Sequence, residues 1–134
     1  TLKTLKQGES ADVPQYNFKT HSREKETLLF KPKKIVIVEG ILLFCNEQVL
    51  DLLDMKVYIK SDTNETRKRR LRRDVSERGR TFDSVVRQYN EHVVPANVEY
   101  VVPSEIHADY LLVDNSDYTF KGMDSLLKEI SNRI

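Results

Sequence analysis

Between residues 67 and 80 the chain carries eight basic side chains, Arg67, Lys68, Arg69, Arg70, Arg72, Arg73, Arg78 and Arg80, against two acids, Asp74 and Glu77. Guanidinium forks match the oxygens of phosphate groups, and such crowding repels itself unless an anion arrives. Helical i,i+4 pairs, Arg70–Asp74 and Arg73–Glu77, would use two arginines and contribute about 0.2–0.5 kcal/mol each. The remaining positive charge admits three readings. A helix of this kind can close over a polyphosphate and neutralise charge during phosphoryl transfer. It can bind RNA without sequence preference. It can also be a solvated helix face.

Other groups stand where α/β proteins keep their chemistry, beyond the carboxyl ends of strands. Glu39 follows one apolar run, Asp62 a second, and residues 114–117, with Asp114 and Asp117, a third. Such carboxylates suit Mg²⁺ or proton handling, or simply end a strand with polar groups. Tyr16, Phe18 and His21 bring two aromatic rings and an imidazole together, a combination that stacks on and hydrogen-bonds bases, or packs as ordinary core. No nucleophile elbow is present, and His21, His92 and His107 lack metal-ligand spacing. The phosphate-cradling pattern G-x-x-x-x-G-K-[ST] needs glycines five apart. The four glycines, at 8, 40, 79 and 122, are followed five residues on by Val13, Cys45, Ser84 and Leu127.

The elements that would position these groups alternate in type. A short helix opens the chain, and residues 13–18 and 26–30 suggest a hairpin with an irregular loop. The β-branched run Ile35-Val36-Ile37-Val38 reads as a central parallel strand covered on both faces. Residues 46–53 read as a short helix and 55–59 as a second buried strand. Asp62 with Glu65 resembles a capping box for a charged helix reaching about residue 77. Thr81 caps a further helix, which Pro95 should kink or end. Residues 108–113 form a third buried strand, and Met123, Leu126, Leu127 and Ile130 line a closing amphipathic helix. No internal repeat is evident. The expected class is α/β with a parallel sheet, thin at three strands.

Composition narrows the setting. The 134 residues make about one domain, which should bury roughly two-thirds of the surface its unfolded chain exposes. A net charge of +1 does not favour a general nucleic-acid binder. The single Cys45 excludes an intramolecular disulfide and a Cys-rich zinc site. No apolar run approaches the ~20 residues of a membrane span, and no signal-peptide pattern stands at the start. A cytoplasmic protein without membrane or specific nucleic-acid partners is expected.

Three strings together resemble one family. Pro14-Gln15-Tyr16-Asn17-Phe18-Lys19-Thr20-His21-Ser22-Arg23 looks like the substrate hairpin of uridine–cytidine kinases. Val38-Glu39-Gly40-Ile41-Leu42 resembles their central strand end, and residues 69–80 are similar to their lid. Gln88-Tyr89, Val94-Pro95-Ala96 and Ala108-Asp109-Tyr110 follow in the family's order. The resemblance implies a P-loop NTPase-like α/β fold with flanking helices, a substrate hairpin at 14–31 and an Arg-rich lid at 62–80, in a single partial nucleoside kinase domain over residues 1–134. It implies transfer of the ATP γ-phosphate to the 5′-hydroxyl of uridine or cytidine with Mg²⁺, a pyrimidine-salvage activity, and a homotetramer. By match, Tyr16 and His21 would contact the pyrimidine, and Phe18 and Ile41 would line its pocket. Arg70, Arg80 and Gln88 would hold the nucleoside, Arg73 and Arg78 would reach the phosphates, Glu39 would lie near Mg²⁺ and Asp117 beside ATP. The first strand, P-loop and catalytic Asp of the family have no match here, and the first residue is Thr1. The expectation is a C-terminal portion of a kinase domain, inactive alone. The alternative is a non-catalytic, kinase-derived module that binds nucleotides or a partner.

Overall fold

Helix α1 (Leu2–Lys6) leads through Gly8, at φ +81°, into β1 (Ala11–Asn17). The computed structural model describes residues 1–17 and 22–134, so Phe18 and His21, with the roles expected of them, lie outside the described residues. β1 pairs antiparallel with β2 (Ser22–Phe30), from Ala11 opposite Phe30 to Asn17 opposite Ser22. The register shifts between Pro14 and Tyr16. A residue without an N–H cannot donate to the ladder, and bulges gather at such positions. Leu28 and Leu29 of β2 are both exposed.

The expected central strand at residues 35–38 is not formed. These residues carry no regular structure, and Ile37 is 88% exposed. β-branched side chains favour an extended backbone, but a strand exists only when a neighbour takes its N–H and C=O groups. No described segment lies in register with this one.

The sheet that does form has the order β3-β4-β5. β3 (Val57–Lys60) and β4 (Tyr110–Asp114) are parallel, with Val57 opposite Tyr110 and Lys60 opposite Val113. A two-residue β5 (Phe120–Lys121) turns back antiparallel on β4, so the sheet is mixed rather than wholly parallel. The two foreseen strands exist but start two residues later and are less buried than expected. Ile59 is exposed, and in β4 only Leu112 and Asp114 are buried. The chain exposes 10,307 Å², whereas a compact monomer of this mass exposes about 7,300 Å². The core is correspondingly small: Leu5, Ala11, Phe44, Val85, Tyr89, Leu112 and Leu126.

Helices fill the rest. Asn46 caps α2 (Glu47–Leu50) by accepting from the Val49 N–H. α3 (Thr63–Ser76) follows β3, and α4 (Phe82–Gln88) starts at Thr81, whose side chain accepts from the Ser84 N–H. Pro95 does not end this helix. The chain stays helical to His107 through two π-turns, Tyr89–Val93 and Asn97–Val101, each followed by a short α segment, α5 (Val94–Ala96) and α6 (Val102–Ser104). The sequence does contain a short repeat here: Glu91-His92-Val93-Val94-Pro95 recurs as Glu99-Tyr100-Val101-Val102-Pro103. A proline inside an α-helix loses one hydrogen bond and collides with the carbonyl four residues back. Widening the preceding turn relieves that contact. Val94 accordingly donates to the Tyr89 carbonyl and Val102 to that of Asn97, both five residues back. α7 (Met123–Arg133) closes the chain. Among the described residues no helix is long and apolar enough to cross a membrane.

Candidate functional site

α3 leaves the carboxyl end of β3 through Asp62, whose Oδ1 accepts from the backbone N–H groups of Asn64 at 2.8 Å and Glu65 at 3.1 Å. The capping box is half made, because the Glu65 carboxylate turns instead to Lys68. An amphipathic helix would be anchored by apolar residues. Here Leu71 is only half-buried and Val75 is exposed, while Asp74 is 1% exposed. This helix is seated by a carboxylate.

Four guanidinium groups converge on that carboxylate. Arg73 at 3.0 Å and Arg78 at 3.2 Å face Oδ1, and Arg70 at 3.6 Å and Arg80 at 3.7 Å face Oδ2. Arg78 stands at i+4 from Asp74, and the Gly79 turn, at φ +63°, brings Arg80 back over the helix. The Arg80 N–H closes it on the Asp74 carbonyl at 3.1 Å. Arg73 thus pairs with Asp74 and not, as expected, with Glu77. A second tie comes from α4: Gln88 Oε1 accepts from both Arg70 and Arg80, and Ser84 Oγ accepts from Arg80 at 2.9 Å. Arg70 Nε is buried without a hydrogen-bond partner. One carboxylate does not neutralise four guanidinium groups, and Arg73 and Arg78 remain partly open to water. The arrangement is a set of converging donors of the kind that suits anionic oxygens.

A cleft of about 310 Å³ adjoins the outer side of α3, lined by Glu65, Lys68, Arg69, Arg72, Ser116 and Tyr118. Arg69 pairs with buried Asp114 at the end of β4 and stacks over the Tyr118 ring at 4.8 Å. Arg72 donates to the Tyr118 hydroxyl at 3.1 Å. Ser116 and Tyr118 both have φ +69°, and the Ser116 N–H donates to Asp114 at 2.8 Å. The Arg69 guanidinium and this amide hold the Asp114 carboxyl below its ordinary value. Asp117 is lowered by the Thr119 hydroxyl and N–H, which close the turn on its carboxylate.

Of the residues singled out from sequence, Arg70, Arg73, Arg78, Arg80 and Gln88 come together in one cluster. Tyr16 lies on β1 opposite Arg23. Glu39 and Ile41 lie in the exposed stretch after residue 35, and Asp117 in the turn between β4 and β5. Sequence reasoning missed Asp74 as the hub. The available signal was its position as the single acid with arginines four and one residues before it and four and six after. Among the described residues no three His, Cys, Asp or Glu side chains gather as a metal site. Mg²⁺ in phosphoryl transfer is commonly held by one or two carboxylates with water and substrate phosphates, and the lone, exposed Glu39 fits only that mode.

The sequence model described as Phosphoribulokinase / Uridine kinase family matches residues 1–118. Uridine-cytidine kinase-like 1 of Mus musculus is 40% identical over 134 residues, all of this chain and 24% of its own length. A uridine kinase of Staphylococcus epidermidis is 41% identical over 111 residues, 83% of this chain and 54% of its own. One of Lactococcus lactis subsp. cremoris is 37% identical over 131 residues, 98% of this chain and 63% of its own. The chain therefore spans a quarter to under two-thirds of these relatives.

Proposed function

The chain belongs to the phosphoribulokinase/uridine kinase family, and from that premise we propose that it forms the nucleoside-selecting and lid part of a pyrimidine nucleoside kinase, transferring the ATP γ-phosphate to uridine or cytidine. The observation that carries this reading is the convergence of Arg70, Arg73, Arg78 and Arg80 on one buried carboxylate. Such a set leaves a standing demand for anionic oxygens beside a helix that follows a parallel strand. A polyphosphate meets that demand better than an RNA backbone does, because the donors point to one centre rather than along a track.

In this reading residues 62–80 are the lid and residues 14–31 the substrate hairpin. Arg73 and Arg78, the more open pair, would take phosphate oxygens and stabilise charge as the γ-phosphoryl group transfers. Gln88 presents its amide oxygen to two arginines, which leaves its NH₂ group to donate to the nucleoside. Tyr16 and His21 would contact the pyrimidine, with Phe18 and Ile41 lining its pocket. Asp117 would stand beside ATP. Glu39 would hold Mg²⁺, which supplies charge neutralisation on the phosphates when bound.

These 134 residues contain no G-x-x-x-x-G-K-[ST] string. We therefore expect the isolated chain to leave uridine unphosphorylated. The test is transfer of label from γ-³²P-ATP to uridine and cytidine, comparing the isolated chain with the complete gene product that contains it. Labelled UMP or CMP from the complete product alone supports the proposal. Labelled product from the isolated chain overturns the inactivity. No product from either favours the kinase-derived binding module.

A further inference from the structure

Among the described residues Asp74 is the charged side chain with under 2% exposure. Each carboxylate oxygen receives two arginines, one from within α3 and one from beyond its end: Arg73 and Arg78 on Oδ1, Arg70 and Arg80 on Oδ2. Buried ion pairs are a poor route to stability, since an apolar side chain of similar volume is often as good or better. A buried carboxylate does have one property that a leucine lacks. It fixes the directions of the cations around it.

We propose that Asp74 is a positioning residue, the buried counter-charge that keeps Arg70, Arg73, Arg78 and Arg80 convergent so that a polyphosphate completes their coordination. The inference rests on the lid reading above and deepens it. Two observations support the incompleteness of the set. Arg70 Nε is buried with no hydrogen-bond partner, and the two arginines on Oδ2 stand at 3.6 and 3.7 Å, beyond hydrogen-bond length. Arg70 and Arg80 are gathered at Oδ2 without bonding to it. Gln88 Oε1, shared by Arg70 and Arg80, ties the same pair to α4, so a ligand drawn to the arginines is met by both helices.

The sign of one substitution separates positioning from simple charge balance. Asp74→Asn keeps the shape and adds one unit of positive charge. If Asp74 only offsets repulsion, the variant binds anions more tightly. If Asp74 aims the arginines, the variant binds them more weakly despite the added charge.

The probe is inorganic tripolyphosphate, titrated into the 134-residue chain by calorimetry at several salt concentrations, with circular dichroism reporting the folded fraction. Expected are binding by the wild type, a loss on the order of tenfold in Asp74→Asn with a flatter salt dependence, and partial recovery in Asp74→Glu. Equal or tighter binding by folded Asp74→Asn overturns the inference and leaves the lid reading standing. No binding by the wild type overturns both. If the variants do not fold, arginine Nε–H resonances of the wild type decide. Four dispersed resonances that shift together on adding tripolyphosphate support convergence, and four at random-coil positions refute it.

Discussion

Gln88→Leu removes the only side chain of α4 that Arg70 and Arg80 share, without changing its length greatly. The amide oxygen must face the arginines, because a guanidinium only donates. Arg70 reaches it at 3.1 Å and Arg80 more closely. Hydrogen bonds from charged groups contribute about 1.5–3 kcal/mol each. The two losses are unequal. Arg80 keeps Ser84 Oγ at 2.9 Å and is 24% exposed, so water and the serine recover most of its bond. Among the described residues Arg70 keeps only Asp74 Oδ2 at 3.6 Å, and its Nε has no hydrogen-bond partner there. The expected cost is therefore near that of one charged bond, about 2 kcal/mol. With an unfolding entropy of about 0.28 kcal/mol per kelvin for a chain of this length, Tm should fall by about 7 °C. Gln88→Glu supplies a charged acceptor to the same two donors and should leave stability unchanged or raise it. Urea titration followed by circular dichroism reads both variants. A Gln88→Leu chain within about 0.5 kcal/mol of wild type, the range of ordinary surface changes, would refute the clamp between α3 and α4.

Gly122→Ala should cost about 2–3 kcal/mol: the residue has φ +97°, which penalises any Cβ by about 1–2 kcal/mol, and that Cβ would stand 2.9 Å from the Leu111 carbonyl oxygen. A loss below about 1 kcal/mol in the same urea assay would mean that the backbone here is not held as described. Asp114 should make stability depend on acid. Its carboxyl is held below the usual value by Arg69 and the Ser116 amide, so its contribution is complete above the ordinary carboxylate pKa of about 3.9 and is lost as pH falls through the lowered folded value. Asp114→Asn should be less stable than wild type at pH 7, and the gap should close below about pH 4; a gap independent of pH would contradict the ion pair.

What was legible in the sequence was what depends on neighbours in the chain. Asp62 and Thr81 cap helices where their spacing puts them, because a cap needs only backbone N–H groups two or three residues away. The run at residues 35–38 failed for the opposite reason: β-branched side chains describe a preference, whereas a strand is a relation to a partner, and among the described residues none lies in register with it. Pro95 does not end its helix because the rule for proline assumes α geometry on both sides, and the chain twice widens the turn before a Val-Pro pair.

The arginine helix is the instructive case. Counting apolar residues on α3 finds Leu71 and Val75 and predicts weak anchoring, and counting i,i+4 pairs divides its acids between two arginines. Both counts treat Asp74 as a surface acid. The structure buries it, because Arg78 at i+4 and Arg80, returned by the Gly79 turn, meet a carboxylate that already faces Arg70 and Arg73. That return is a tertiary event written in one glycine and one spacing, and it converts a run of repelling charges into a converging set. The same geometry weakens the solvated-face reading, since a side chain meant only for water has no need of a buried counter-charge to aim it.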